Sequence, residues 1–342
     1  MRQYRLALAA LAALTVAMSP VAVVEAGQAP AAVPTGGGVA ADWVPARTPW
    51  GDPDLQGIYT NKDESGIPFE RPGEFDGQNL ADVDDQELAE LIASRQKAAE
   101  ESAPGIGGAL TGAGPPHWYE NYGANNSRAW LVVDPPDGRI PPMTAEAQQR
   151  PVRAGGSSFG DGPWNGPEDF SLYDRCISRG LPGSMMPAIY GNAYQIVQSP
   201  GFVAIRYEMI HETRIIPLND SADGAHVSRT LGSHMGDARA SWEGNTLVIE
   251  TGNFMEGMAY RGGNAETLRL IERFTPVGPD KIEWAVTVTD PTTWTRPWTF
   301  AMDLTKDDTQ AVFEYACHEG NRGLPNILSA ARAADQDGEA AR

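Results

Sequence analysis

Basic residues are scarce in this chain. It has 26 Lys and Arg against 45 Asp and Glu, which gives a formal net charge of -19 at pH 7. Nucleic acids and anionic membrane surfaces attract basic proteins, so this composition argues against both as partners. Long apolar runs are lacking too: the stretch at residues 6–18 is shorter than the roughly 20 residues that span a bilayer, and charges interrupt every later stretch. We therefore expect no nucleic-acid partner and no integral membrane span.

Motifs for cofactors are also absent from the sequence. There is no haem-attachment motif, and the glycines at residues 105–112 have neither the spacing nor the preceding strand of a dinucleotide-binding fingerprint. Three histidines, His211, His226 and His234, would suit a catalytic zinc or iron site together with Asp237. No compact pattern such as HExxH supports that site, so we predict no cofactor and no metal.

Only two cysteines are present, Cys176 and Cys317, and the N-terminus indicates their compartment. Arg2 and Arg5 precede an apolar stretch that ends in a site suited to signal peptidase, which predicts an export signal over residues 1–26 and a periplasmic or secreted protein. Disulfides persist after export, so we expect the cysteines to pair, with a stabilisation of at most about 5 kcal/mol. The alternative, a catalytic thiol, requires an exposed site with a low thiolate pKa.

Proline and glycine dominate the first half of the chain. This composition predicts a flexible tether over residues 27–41 and an irregular arm, packed on the rest of the protein, over residues 42–192. One helix is predicted at residues 83–101, and a second, short helix after Thr144. At the other end of the chain, residues 332–342 are predicted to form a disordered tail.

Between residues 193 and 331, β-forming segments alternate with turn residues. Eight strands are predicted, at residues 193–199, 202–217, 239–243, 246–251, 266–275, 281–290, 298–305 and 310–317. Short connections favour an antiparallel meander, and eight strands can close into a barrel that holds one small ligand. We therefore predict an all-β fold, an eight-stranded antiparallel lipocalin-like barrel with the arm wrapped around it. An open sandwich of the same strands is the alternative.

The second of these segments, FVAIRYEMIHETRIIP, contains the best candidate site. A strand of this length would be unusually long, so we expect a bend or bulge near its centre. His211 suits proton transfer near neutral pH, and Glu208 or Glu212 could fix its tautomer or act as the complementary acid. Arg214 would hold a carboxylate or a developing oxyanion. The alternative is an exposed ladder of ion pairs beside a histidine in the core.

Further residues are expected to line a pocket at one mouth of the barrel. Strand ends and loops would bring histidines and an arginine together there, and the late strands supply tryptophans for an apolar or planar ligand. The predicted substrate-binding residues are Tyr207, His234, Arg239, Trp284, Trp298 and His318. Ordinary core packing is the alternative for the tryptophans.

Several segments resemble an uncharacterised family of exported bacterial proteins. They are PWGDPDLQG near the start, YEMIHETRIIPL in the candidate strand and EYACHEGN near the end, and the similarity runs from Trp43 to about Ala331. The resemblance implies one exported domain. It carries over no catalytic residue and no substrate.

Together these features favour an exported enzyme that uses acid and base groups in a barrel pocket. Without a cofactor, such an enzyme would catalyse elimination, hydration or isomerisation of a small molecule. A non-catalytic periplasmic carrier of an apolar or aromatic ligand is one alternative, and a structural envelope protein with a filled barrel is another. Charged groups in a strong β-strand are costly unless they are paired or used, which favours the enzyme.

Overall fold

Ten β-strands of the described residues form one antiparallel sheet. The computed structural model describes residues 43–102, 120, 122–150, 164–218, 228–255, 260–309 and 311–340, so the predicted export signal and tether lie outside the described residues. The strands are β1 (Gly57–Thr60), β2 (Val132–Asp134), β3 (Ala193–Ser199), β4 (Phe202–Tyr207), β5 (Thr213–Pro217), β6 (Asp237–Glu243), β7 (Thr246–Gly252), β8 (Arg269–Gly278), β9 (Lys281–Thr289) and β10 (Trp298–Lys306). Three α-helices accompany them in the described part: α1 (Asp85–Ser102), α2 (Ala145–Gln149) and α3 (Gly323–Ala340).

The sheet curls into a nearly closed barrel. Its strand order is β5-β4-β3-β1-β10-β9-β8-β7-β6, and β2 pairs with β10 beside β1. Within the described ranges, the terminal strands β5 and β6 meet through a single parallel bridge, between Leu218 and Ala240. The gap that remains between β5 and β6 is called the seam below. The sheet is therefore barrel-like rather than an open sandwich, and it has ten strands where the sequence predicted eight.

Side chains fill the interior of the barrel. Successive residues of a strand point to opposite faces, and the inward positions of the long strands β8 to β10 carry large apolar groups. Phe274, Trp284, Trp298 and Phe300 are each 0% exposed. The rings of Trp284 and Phe300 meet edge to face, with their centroids 5.6 Å apart. Clefts at the surface are therefore the better candidates for a binding site.

The segment predicted as one strand, residues 202–217, is a hairpin. β4 and β5 are joined by a short turn, Met209–His211, in which Ile210 and His211 have positive φ angles of 61° and 46°. The N–H of Tyr207 donates to the carbonyl oxygen of Glu212 at 2.9 Å. The bend expected near the centre of this segment is thus a complete chain reversal.

The last predicted strand, residues 310–317, differs as well. Residues 311–317 contain no strand. They cannot pair with the preceding strand β10, because β9 occupies one edge of β10 while β1 and β2 occupy the other. These two extra strands come from the segment predicted as an irregular arm. They have four and three residues, too few for an alternating pattern to be recognised in the sequence.

Helix α3, Gly323–Ala340, includes residues 332–340, which the sequence analysis assigned to a disordered tail. Leu324, Ile327 and Leu328 form its half-buried stripe, and the alanine-rich stretch that follows has high helix propensity. Arg332 also donates to the carbonyl oxygens of Trp164 and Asn165, at 2.7 and 3.1 Å. These contacts order a segment whose composition alone predicted no structure.

A buried charged cluster fastens the arm to the barrel. Glu283 on β9 and Asp303 on β10 are cross-strand neighbours, and two adjacent carboxylates repel each other. Arg128 of the arm donates to both, at 3.2 Å each. Glu64 accepts a hydrogen bond from Ser127 Oγ at 2.6 Å. Burial, together with the negative charge of Asp303, raises the pKa of Glu64 to about 7.

The predicted disulfide is confirmed. It joins Cys176 in the arm to Cys317 after β10, across a sequence separation of 141 residues. None of the helices in the described part of the chain is long and apolar enough to cross a membrane.

Candidate functional site

The seam opens into a cleft of about 360 Å³. Residues 212–216 form one wall, and residues 233–238, which lead into β6, form the other. Four lining side chains can take part in acid–base or ionic chemistry, namely Glu212, Arg214, His234 and Asp237. The first three were predicted site residues, and the fold brings them to one place.

Glu212 is one of the two acidic residues that line this cleft, and it directly follows the Met209–His211 turn. Ser178 Oγ donates to Glu212 Oε2 at 2.9 Å, and Ser184 Oγ donates to the same oxygen at 3.5 Å. Burial raises the pKa of Glu212, while the hydrogen bond from Ser178 and the charge of His234 oppose part of that rise. A carboxyl group with a raised pKa holds its proton more tightly than an exposed one and can act as a general acid.

His234 supplies a second titratable group. It is half-buried in the segment before β6, and its Nδ1 atom is buried without a hydrogen-bond partner in the part of the chain that the structure describes. Gly236 makes the backbone turn here with a φ of 71°, and a Cβ at this position would lie 2.6 Å from the carbonyl oxygen of Gly252. Glycine at position 236 thus lets the segment that carries His234 pack against the end of β7. The imidazole of His234 is a group that can accept or deliver a proton.

Arg239 lies on β6 beside the cleft. Its guanidinium forms an ion pair with Asp237, at 2.6 Å, and donates to the carbonyl oxygen of Ala238 at 2.7 Å. Residues two apart on a strand share a face, which explains the pairing of Asp237 with Arg239. The predicted substrate-binding charge of Arg239 is therefore balanced within its own strand.

Arg214 lies on the inner side of the cleft, at the centre of a buried polar network. Its guanidinium donates to both carboxylate oxygens of Glu272, at 3.1 and 2.8 Å, and the two side chains are 4% and 0% exposed. Arg214 also donates to Tyr207 Oη at 3.2 Å and to Thr251 Oγ1 at 3.1 Å. Trp284 Nε1 donates to Glu272 at 3.3 Å. Burial raises the pKa of Tyr207 to about 12 although the charge of Arg214 opposes the rise, so Tyr207 is a neutral member of the network.

Glu208 precedes the same turn and His211 is its last residue, but neither lines the cleft. Glu208 accepts a hydrogen bond from the N–H of Ala193 at 3.2 Å, and burial raises its pKa. His211 is exposed, with Nδ1 at 2.8 Å from the carbonyl oxygen of Tyr315. Because a carbonyl oxygen only accepts hydrogen bonds, this Nδ1 carries the proton. The chain reversal therefore separates both residues from Glu212 and Arg214, with which the sequence analysis grouped them.

The other predicted binding residues lie elsewhere in the structure. Trp284 and Trp298 are fully buried in the barrel interior. Tyr207 belongs to the buried network around Arg214, and His318 is exposed in the turn that follows the last cysteine. His226, part of the alternative metal site, lies outside the described residues.

Sequence reasoning missed several supporting residues, namely Ser178, Ser184, Thr251 and Glu272. The two serines belong to an irregular part of the arm, where no periodicity marks them. Glu272 did have a signal, because the alternation along β8 places it on the inward face between Leu270 and Phe274. A carboxylate in that position requires a buried cationic partner.

The geometry therefore identifies a small cleft that holds a carboxyl group, an imidazole and a fixed guanidinium. Comparisons with protein-family models, curated proteins and solved structures found no match for this chain. The case for a function rests on the chemistry of the cleft.

Proposed function

We propose that the protein is an exported, cofactor-independent enzyme that transfers protons on a small molecule bound at the seam. The reaction would be an elimination, a hydration or an isomerisation. One observation carries the proposal: Glu212, with its pKa raised by burial, shares a cleft of about 360 Å³ with His234. Export is supported by the N-terminal sequence pattern and by the family resemblance, and the disulfide is compatible with it.

The carboxyl group of Glu212 and the imidazole of His234 would have separate roles in such a reaction. One removes a proton from carbon, and the electrons of that C–H bond form the new double bond. The other protonates the departing group in an elimination, or, in an isomerisation, the far carbon of the double bond that shifts. Glu212 and His234 are suited to these roles because a carboxyl group with a raised pKa can act as an acid and an imidazole can act as a base.

The charges of the cleft also restrict the substrate. Arg214 is paired with Glu272, and Asp237 is paired with Arg239, so each cation already has a counter-charge. A polyanion would find no unpaired arginine among these residues. The volume is at the lower end of the range for small-molecule sites, so we propose a small substrate with little net charge.

A carrier is the second candidate, and a different cleft favours it. A lipocalin-like carrier would hold its ligand inside the barrel, but that space is filled by side chains. A cleft of about 340 Å³ lies between residues 43–46 and the β8–β9 turn, where Trp43, Leu55 and Ile282 supply apolar surface. An apolar ligand would bind there rather than in the barrel.

The proposal is tested by incubating the protein with a metabolite extract and following small molecules by mass spectrometry. Glu212→Gln should slow turnover at least about 100-fold, because it removes a proton-transfer group. Glu208→Gln is the matched control, since it changes a buried glutamate that directly precedes the same turn and does not line the cleft.

The mass change of a converted compound identifies the reaction. Gain or loss of water indicates a hydratase or a lyase, and an unchanged mass with a new retention time indicates an isomerase. Equal turnover by the wild type and Glu212→Gln would refute the assignment. A compound retained unchanged by both proteins would establish the carrier instead.

A further inference from the structure

The Met209–His211 turn, which directly precedes Glu212, has an unfavourable backbone conformation. Ile210 and His211 are in the left-handed region, with φ angles of 61° and 46°. This conformation is especially poor for a β-branched residue such as Ile210. It persists only where surrounding contacts enforce it. The contacts around the turn therefore decide where the Glu212 carboxyl group lies.

Two segments from distant parts of the chain hold this turn. Ser178 Oγ donates to Glu212 at 2.9 Å and accepts from the N–H of Gly180, also at 2.9 Å. The carbonyl oxygen of Tyr315 accepts a hydrogen bond from His211 Nδ1 at 2.8 Å. One contact fixes the carboxyl group itself, and the other fixes the residue that precedes it.

The disulfide joins these two segments. Cys176 lies two residues before Ser178, and Cys317 lies two residues after Tyr315. Neither segment is part of a strand or an α-helix, so no regular backbone pairing holds them against the turn. Asn321 Nδ2 contacts Cys176 Sγ at 3.3 Å and adds to the same unit. The covalent link is therefore a restraint that the two segments share, beside the side-chain hydrogen bond between Tyr173 and Tyr315.

We propose that the Cys176–Cys317 disulfide positions the Glu212 carboxyl group by holding the Ser178 and Tyr315 segments against its turn. In this arrangement Ser178 and His211 are positioning residues. The inference depends on the proposed function only for the role of Glu212 in proton transfer. The position of that carboxyl group can be measured without a substrate.

Two perturbations should move the pKa of Glu212 in opposite directions. Its surroundings are the hydroxyls of Ser178 and Ser184, the backbone N–H of Arg179 and the imidazole of His234. Loss of the disulfide would release the arm segment and admit water, which relieves burial, the largest cause of the raised pKa. The pKa should then fall. Ser178→Ala keeps the disulfide that holds the segment. It removes the hydrogen bond that favours the carboxylate, along with the acceptor for the N–H of Gly180, so the pKa should rise further.

The experiment is a carbon-13 NMR titration of glutamate carboxyl groups, in which Glu212→Gln identifies the Glu212 signal. It compares the wild type, Ser178→Ala and the double variant Cys176→Ser/Cys317→Ser. Glu64 is the internal control, because it has a raised pKa but belongs to the cluster that fastens the arm. If the double variant does not fold, the folded wild type is reduced with a dithiol instead.

We expect a fall of the Glu212 pKa without the disulfide, a rise in Ser178→Ala and no movement at Glu64. His211→Ala should lower the Glu212 pKa, whereas His318→Ala, at an exposed histidine next to the disulfide, should leave it unchanged. A Glu212 pKa that stays constant after loss of the disulfide overturns the inference and leaves the proposed function intact. The expected shifts combined with unchanged turnover in Glu212→Gln would refute the proposed function and leave the inference intact.

Discussion

Glu272→Gln is the perturbation whose cost follows most directly from the structure. Glu272 is fully buried, and each of its two carboxylate oxygens accepts a hydrogen bond from the guanidinium of Arg214. A glutamine accepts through one oxygen only and presents an amide N–H group where the second acceptor stood. One charge-assisted bond, worth about 1.5–3 kcal/mol, is then lost. Arg214 also becomes a buried charge without a counter-charge, so the total cost should be about 3–5 kcal/mol.

The assay is urea unfolding followed by tryptophan fluorescence, with the disulfide intact. Glu243→Gln is the matched control, because Glu243 forms an ion pair with Arg273 at the surface, where its side chain is 58% exposed. Such exposed pairs contribute about 0–1 kcal/mol. In a third variant, Arg214→Met with Glu272→Leu, most of the loss should be recovered, since apolar residues of similar volume often replace buried ion pairs without cost. A Glu272→Gln variant as stable as Glu243→Gln would show that Arg214 does not depend on Glu272.

Two further predictions concern stability. The pKa of Glu64 is raised from 4.5 to about 7, so the folded state binds the proton of this carboxyl group more tightly than the unfolded state does. The free energy of unfolding should therefore fall by about 3 kcal/mol as the pH rises from about 4.5 to 7. Glu64→Gln should remove this part of the pH dependence in urea unfolding at pH 5 and 8, and an unchanged difference would contradict the assignment. Trp298 is fully buried, and its indole N–H has no partner among the described residues. Trp298→Phe should therefore cost less than the roughly 3–5 kcal/mol expected for Trp298→Ala, and equal losses in thermal unfolding would show that the indole N–H is needed.

The strands of the second half were predictable because their signals are local. Residues 193–199 were predicted as a strand, and β3 spans Ala193–Ser199. Alternating burial and short turn sequences mark most of the others in the same way. The strands from the arm were missed because each is very short, and their pairing with β10 is decided by tertiary contacts.

The hairpin within residues 202–217 could not be predicted from local signals. Its turn contains no glycine, proline or asparagine, and Ile210 would be expected in an extended conformation. Contacts from segments about 30 and 100 residues away hold the turn in place. The same contacts decide where these side chains lie: the reversal leaves Glu212 in the cleft with Arg214 and turns His211 toward Tyr315.

The buried ion pair also explains how Glu212 can keep a raised pKa so close to an arginine. Glu212 and Arg214 are two residues apart, and a free guanidinium at that distance would pair with the carboxylate and lower its pKa. Arg214 is instead held by both oxygens of Glu272 and by hydroxyl groups of Tyr207 and Thr251. With its charge compensated there, Arg214 can lie beside the cleft without neutralising Glu212. Stability alone does not require this arrangement, since apolar side chains could fill the same space. Its effect is on the ionisation of Glu212, which lines the cleft with His234.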